Sequence, residues 1–251
     1  MVALTLGFAS AEKSVDFSEI PNQPWFYGAL ILGALFVAIF FVMAMTAQKN
    51  GVSVTSVAGK MSVVIPIVFG VFLYNESITF FKIIGIVIAL IAVYLASVKE
   101  SKTEIKNAGL LFPILLFFGS GAIDTILKYV EVSYVPDNEV AVFSGSLFAI
   151  AAIFGLIILG IKSFKKPAPF GAKNIVAGII LGVPNYYSIV FLIKALQNNN
   201  FESSVLFTVN NVGIVILSTL VGLFLFKEHF SLKNKIGVFL AIIGIIIVTI
   251  A

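Results

Sequence analysis

Residues 65–97 read IPIVFGVFLYNESITFFKIIGIVIALIAVYLAS. They hold the end of one apolar run, the short stretch Asn75–Ile78 and the whole of a second run. That stretch leaves room only for a tight turn between antiparallel elements. Periodicity cannot separate helix from strand in runs this apolar, but length can. A spanning β-strand takes about 9–11 residues of alternating polarity, and the runs 54–74 and 79–98 are twice that without alternation. A helix needs about 20 mostly apolar residues to cross the hydrocarbon. Working outward, eight segments meet that need: 25–46, 54–74, 79–98, 108–130, 140–162, 174–195, 203–226 and 232–250. The connections are too short for a soluble domain. The expected fold is an all-α membrane protein with about eight transmembrane helices.

Composition agrees. The 251 residues are 60% hydrophobic and 11% charged, whereas soluble domains are about 45–50% apolar and about 25% charged. A soluble enzyme, a nucleic-acid binder and a disordered chain are excluded on that ground. All 16 basic residues are lysines, and the net charge of +4 reads as membrane topology rather than affinity for a polyanion. Cysteine is absent and His229 is the lone histidine. A zinc site needs three or four converging ligands, so no metal or cofactor is expected. No GxxxxGK[ST] loop occurs, so any energy for transport would come from a gradient and not from ATP.

The chain contains an internal repeat. At an offset of 152, Gly70, Phe72, Leu73, Glu76, Ile84, Gly85 and Ala89 fall on Gly222, Phe224, Leu225, Glu228, Ile236, Gly237 and Ala241. Upstream the offset becomes 149, placing Ile31, Leu32 and Gly33 on Ile180, Leu181 and Gly182, and Gln48 on Gln197. Two greasy helices match by chance at Leu and Ile, but not at a Glu in equivalent turns. The first copy, 1–101, has three spans, and the second, 102–251, has five. An odd number of spans per copy inverts one copy relative to the other, the arrangement of secondary transporters with a site near the midplane.

The quoted stretch resembles the end of an EamA-type repeat of the drug/metabolite transporter superfamily. That pattern has a proline in the fourth span, glycine-rich packing, a glutamate at the turn and a glycine-bearing fifth span. Pro66, Gly70, Glu76 and Gly85 match it; the second copy matches at Glu228 and Gly237 but carries Ser218 where the proline would be. The resemblance covers residues 25–251 and implies a ten-helix bundle of two inverted five-helix repeats, the first incomplete, that exports or exchanges small metabolites. Met1–Ser10 is apolar but too short to span. It reads as the tail of a severed span, and a signal peptide lacks its basic residue.

Counting the spans puts eleven lysines on one side: 49, 99, 102, 106, 162, 165, 166, 173, 227, 233 and 235. Lys13, Lys82 and Lys194 lie on the other. The positive-inside rule makes the first side cytoplasmic, and a bacterial inner membrane is the expected location. Three charges remain deep in spans: Lys60, Asp124 and Lys128. Each costs about 2.5–3.5 kcal/mol on insertion scales. Asp124 and Lys128 are four residues apart on one helix face and can pair; a Lys60–Asp124 bridge between helices is the structural alternative. Two lysines against one acid leave a positive charge for an anionic or zwitterionic solute. Asn185 and Tyr186, after Pro184, and Asn210 and Asn211, in another span, are candidate walls of the same cavity, or helix-bridging polar residues. Glu76 and Glu228 read as helix-end caps. Ala29/Gly33 and Gly178/Gly182 read as packing pairs.

The leading function is a secondary transporter that moves a small organic solute through a midplane cavity by alternating access. Its rivals are a non-transporting membrane subunit, an intramembrane enzyme, and an inactive truncated fragment of a transporter. The enzyme has no nucleophile–base pair to work with. The expected partners are the lipid bilayer and a small-molecule solute, with a coupling ion and a homodimeric partner as options; no nucleic acid is expected. The orientation can be checked directly. The loop from Ser163 to Ala172 concentrates lysine without acid, so a cysteine at Ser163, the only thiol in the chain, should resist an impermeant thiol reagent in intact cells and react after permeabilisation. Ready labelling of intact cells would reverse the topology.

Overall fold

The structure, a computed structural model, describes residues 9, 17–50, 52–97, 110–163, 171–198, 201–224 and 231–250. These form nine α-helices: α1 (Phe26–Asn50), α2 (Val52–Met61), α3 (Val64–Tyr74), α4 (Phe80–Ser97), α5 (Leu111–Tyr134), α6 (Val140–Ser163), α7 (Ala172–Leu196), α8 (Ser203–Phe224) and α9 (Leu232–Ile250). Short 3-10 turns occupy Phe17–Asn22 and Asp137–Glu139. Six stretches are long and apolar enough to cross a membrane: 26–50, 54–74, 111–134, 137–161, 176–196 and 232–250. The shorter apolar helices at 80–95 and 203–217 stand where the remaining two expected spans lie. The protein is an all-α integral membrane protein.

One expected span is not a single helix. The run 54–74 divides into α2 and α3 at Ser62–Val63. Pro66 is the cause: it has no amide hydrogen to donate, and its ring crowds the carbonyl four residues back, that of Ser62. The ladder tightens across the gap, with the Val63 N–H donating to the Lys60 carbonyl (3.5 Å) and the Ile65 N–H to the Ser62 carbonyl (2.9 Å). The Ser62 hydroxyl donates to the Gly59 carbonyl at 2.7 Å. Ser218, at the equivalent place in the second copy, keeps its amide, and α8 runs unbroken.

The described contacts fall into two compact units. One comprises Met1–Ala38 and Ile126–Asn199, the other Ile39–Thr125 and Asn200–Ala251. Each draws on both sequence copies. In the first unit α1 meets α6: Trp25, fully buried, stacks edge-on to Phe143 and donates its indole N–H to Glu139 at 2.7 Å. Ala29 and Gly33 are buried in that unit, as expected of a packing pair. Gly178 and Gly182 are not such a pair, since a Cβ added to either would meet nothing within 4 Å.

In the second unit α9 packs along α4, its equivalent at offset 152. A Cβ at Gly85 would lie 2.5 Å from Val248 Cγ2, and one at Gly244 would lie 3.0 Å from the Ala89 backbone nitrogen. Four residues forward along α4, from 85 to 89, therefore run four back along α9, from 248 to 244. Equivalent helices are antiparallel, as inversion of one copy requires. Small residues let the backbones touch, and Ala89, Ala92, Val93, Val212, Val215 and Ala241 close the core over them.

Contacts within each unit also obey the span count. Residues that touch at helix ends must share a side of the bilayer, so an even number of spans must separate them. Lys49 lies 4.4 Å from the centre of the Phe112 ring, two spans later. The Asn234 amide donates to the Leu95 carbonyl at 3.2 Å, four spans apart, and Trp25 and Glu139 are also four apart.

The α4–α9 seam sets a stability prediction. Gly85→Leu must push the α4 and α9 backbones away from each other, and overpacking typically costs about 1–3 kcal/mol. Its melting midpoint in detergent should fall by several degrees, whereas Gly178→Ala should leave it unchanged or higher. Equal midpoints for Gly85→Leu and wild type would show that the seam is not tight.

Candidate functional site

The break between α2 and α3 lies beside three polar groups of the second unit, Lys60, Asp124 and Asn211. Lys60 is the next-to-last residue of α2, where carbonyls lose their helical partners and carry the negative end of the helix dipole. Across from it, the α5 backbone approaches α3 so closely that a Cβ at Gly121 would lie 2.4 Å from Ile65 Cδ1. One turn further along α5 stands Asp124, within electrostatic reach of Lys60. Among the described residues neither side chain is taken up by a hydrogen bond or a contact ion pair. The two charges thus compensate through space while both heads keep their bonding capacity. Asn211 of α8 is buried beside the same break: with Val63 it lines a cavity of about 10 Å³, close to the smallest volume that holds one water. Its amide donates to the Phe207 carbonyl at 3.1 Å.

The other sequence candidates lie elsewhere. Asn210, next along α8, is exposed, because neighbouring helical residues point about a hundred degrees apart. Lys128 does not pair with Asp124. Its ammonium donates to Glu131 at 2.9 Å and to the Leu196 carbonyl at 3.1 Å, in the first unit. The reason is direction: Glu131 and Leu196 both lie toward the end of their helices, and a lysine stem reaches toward the interface more readily than toward the bilayer centre. Tyr186 is fully buried in that unit, its hydroxyl 3.4 Å from the Ala141 carbonyl it donates to. Pro184 leaves α7 continuous, and Asn185, partly buried, offers its backbone carbonyl to the Ser188 hydroxyl at 2.8 Å.

A second polar cluster closes one end of the second unit. Asn75 ends α3 in the left-handed conformation (φ 50°), which turns Glu76 back over Gly70. A Cβ at Gly70 would lie 3.0–3.2 Å from the Glu76 carboxylate, so any larger residue would have to push it aside by a few tenths of an ångström. That carboxylate accepts the backbone N–H of Ser203 (2.9 Å) and of Ser204 (3.0 Å), and the Ser203 hydroxyl. Glu76 is a helix cap, but for α8, a helix of the other copy. Glu228, its counterpart, lies outside the described residues.

Beside it, Lys82, buried, pairs with Glu202 and donates to the Ser77 carbonyl at 3.1 Å. Glu202 also accepts the Ser77 amide (3.1 Å) and hydroxyl (2.8 Å). Sequence reading missed this pair. Its signal was available: Lys82 stands on the side that holds few lysines, and Glu202 directly precedes the Ser203–Ser204 helix start.

An inverted repeat, a bundle of spanning helices and a broken helix are features that secondary transporters combine. Residues 1–98 are similar to the EamA-like transporter family. An uncharacterized protein of Haemophilus influenzae is similar at 28% identity over 240 residues, which cover 95% of this chain and 79% of that protein. A crystal structure of a protein 17% identical superposes with a TM-score of 0.72, covering 99% of this chain and 86% of the other, and shares the fold.

The Lys82–Glu202 pair has a pH signature. Burial alone would raise the Glu202 carboxyl, but the hydrogen bonds from Lys82 and Ser77 outweigh it and hold the group below the ordinary glutamate value. Its contribution to stability is therefore full above about pH 4.3 and is lost as pH falls through the lower folded-state value. Below about pH 4 the wild-type melting midpoint should fall more steeply than that of Glu202→Gln. At neutral pH the variant should melt lower. Superimposable profiles for the two proteins would remove the pair from the stability of the fold.

Proposed function

We propose that this protein is a secondary transporter that exports or exchanges a small anionic or zwitterionic metabolite by alternating access, in a bacterial inner membrane. The observation that carries the reading is the α2–α3 break with Lys60 and Asp124 beside it. A membrane tolerates interrupted backbone only where protein or a water-lined cavity satisfies the freed groups, and half-helix ends at midplane depth are the usual ligand-binding elements of such bundles. Asp124 is the switchable group. Ionised, it balances Lys60; protonated, or displaced by the solute's own carboxylate or phosphate, it leaves the ammonium to the solute. Asn211 supplies a neutral hydrogen-bonding wall. A solute that pairs with Lys60 better in one orientation of the bundle than in the other shifts the equilibrium between them, and differential contact of this kind is what drives such a shift. Lys128, held by Glu131 and Leu196, serves the same cycle as a fixed charge near the end of its span.

The test is efflux from cells or vesicles loaded with a panel of anionic and zwitterionic metabolites. Removing one member of a buried charge pair typically costs about 3–5 kcal/mol, so Asp124→Asn alone and Lys60→Met alone should each abolish transport and lower the melting midpoint. The double variant, Lys60→Met with Asp124→Asn, should recover the midpoint yet stay inactive. Recovery of both midpoint and transport in the double variant would reduce the pair to a structural bridge and overturn the proposed site.

A further inference from the structure

The first unit holds a charge cluster where α5 and α7 finish, on the side that carries few lysines. The two helix ends are tied together. The Gln197 amide, one residue past α7, donates to the Val135 carbonyl, one residue past α5, at 3.2 Å. The last carbonyls of a helix lack partners within it and carry the negative end of its dipole, so two such ends brought together repel. Glu131, buried in the last turn of α5, adds a full negative charge, and Asp137 lies within electrostatic reach of it. A cation in their midst is what makes such a gathering stable, and the structure shows one. The Lys128 ammonium donates to the Glu131 carboxylate at 2.9 Å and to the carbonyl of Leu196, the last residue of α7, at 3.1 Å. The two side chains are 13% and 4% exposed, so water and salt screen the pair little. Lys194, in the last turn of α7, is exposed.

These oxygens are of the kind that bind a monovalent cation. Helix C-terminal ends and freed backbone carbonyls coordinate Na⁺ in secondary transporters. One carboxylate beside them balances one positive charge, whereas a Ca²⁺ site draws on several. We propose that the Lys128 ammonium is a tethered coupling cation: it fills a monovalent-cation site made by Glu131 and the joined ends of α5 and α7, so the protein takes up no free Na⁺ or K⁺ there. A pair that only neutralised Glu131 would be complete within α5, at three residues' spacing. The bond to Leu196 brings in a second helix end, and that is what a shared cation adds. In a transport cycle the tether removes dependence on sodium, and that consequence rests on the proposed function. The site itself does not, and it is tested without a solute.

The experiment melts the full chain in detergent, in sodium chloride and in choline chloride at equal ionic strength. The wild type should melt at the same temperature in both. Lys128→Ala removes the ammonium and leaves its oxygens. It should melt below the wild type in choline and recover by several degrees in sodium. The recovery should grow with the logarithm of the sodium concentration, as for a ligand bound only by the folded state. Adding Glu131→Gln to Lys128→Ala should abolish the sodium response. If Lys128→Ala yields folded protein from sodium but none from choline, that difference in yield is the same result by another readout. Equal melting of Lys128→Ala in the two salts, failure to fold in both, or an equal sodium response in the wild type would leave an ordinary structural ion pair and overturn the proposal.

Discussion

Hydrocarbon offers a backbone no hydrogen bonds, and the structure is arranged around that shortage. Helices meet it over most of their length, but each helix end and each break leaves amides and carbonyls without partners. Where α2 gives way to α3, the Ser62 hydroxyl and two tightened backbone bonds take up some of the deficit. Where α8 begins, one carboxylate from a distant turn, Glu76, takes two amides at once. Both solutions fall at places where helices meet, so satisfying the backbone and fixing the tertiary arrangement are the same event.

The contrast between the two copies shows how little sequence it takes to break a span. Pro66 and Ser218 occupy equivalent positions. The proline breaks its helix and brings Lys60 to a helix end; the serine leaves α8 continuous. Duplication supplies two matching scaffolds, and a single ring closure makes one of them irregular. The asymmetry between the copies is concentrated there, while the α4–α9 seam keeps its small residues in both copies.

Much of this was legible in the sequence, for physical reasons. Span count and class follow from run length, because bilayer thickness is a fixed ruler. The repeat was legible through Gly70 and Glu76, and the structure shows why they travel together: the glycine leaves the space into which the carboxylate folds. What the sequence did not yield was partnership between distant residues. Spacing on a helix offers Lys128 two acids, Asp124 and Glu131, and only the neighbouring end of α7, with the Leu196 carbonyl, decides between them. Helical spacing likewise could not say which of Asn210 and Asn211 faces the break, since that depends on how α8 is rotated against its neighbours. The Lys82–Glu202 pair joins residues 120 apart, and no local rule connects them.

The Glu76 cap has a consequence for the order in which the protein is made. Glu76 precedes Ser203 by 127 residues, so it has left the ribosome and settled in its turn long before α8 emerges. When α8 enters the membrane, an acceptor for its first amides is already waiting, and the helix can be docked as it is inserted.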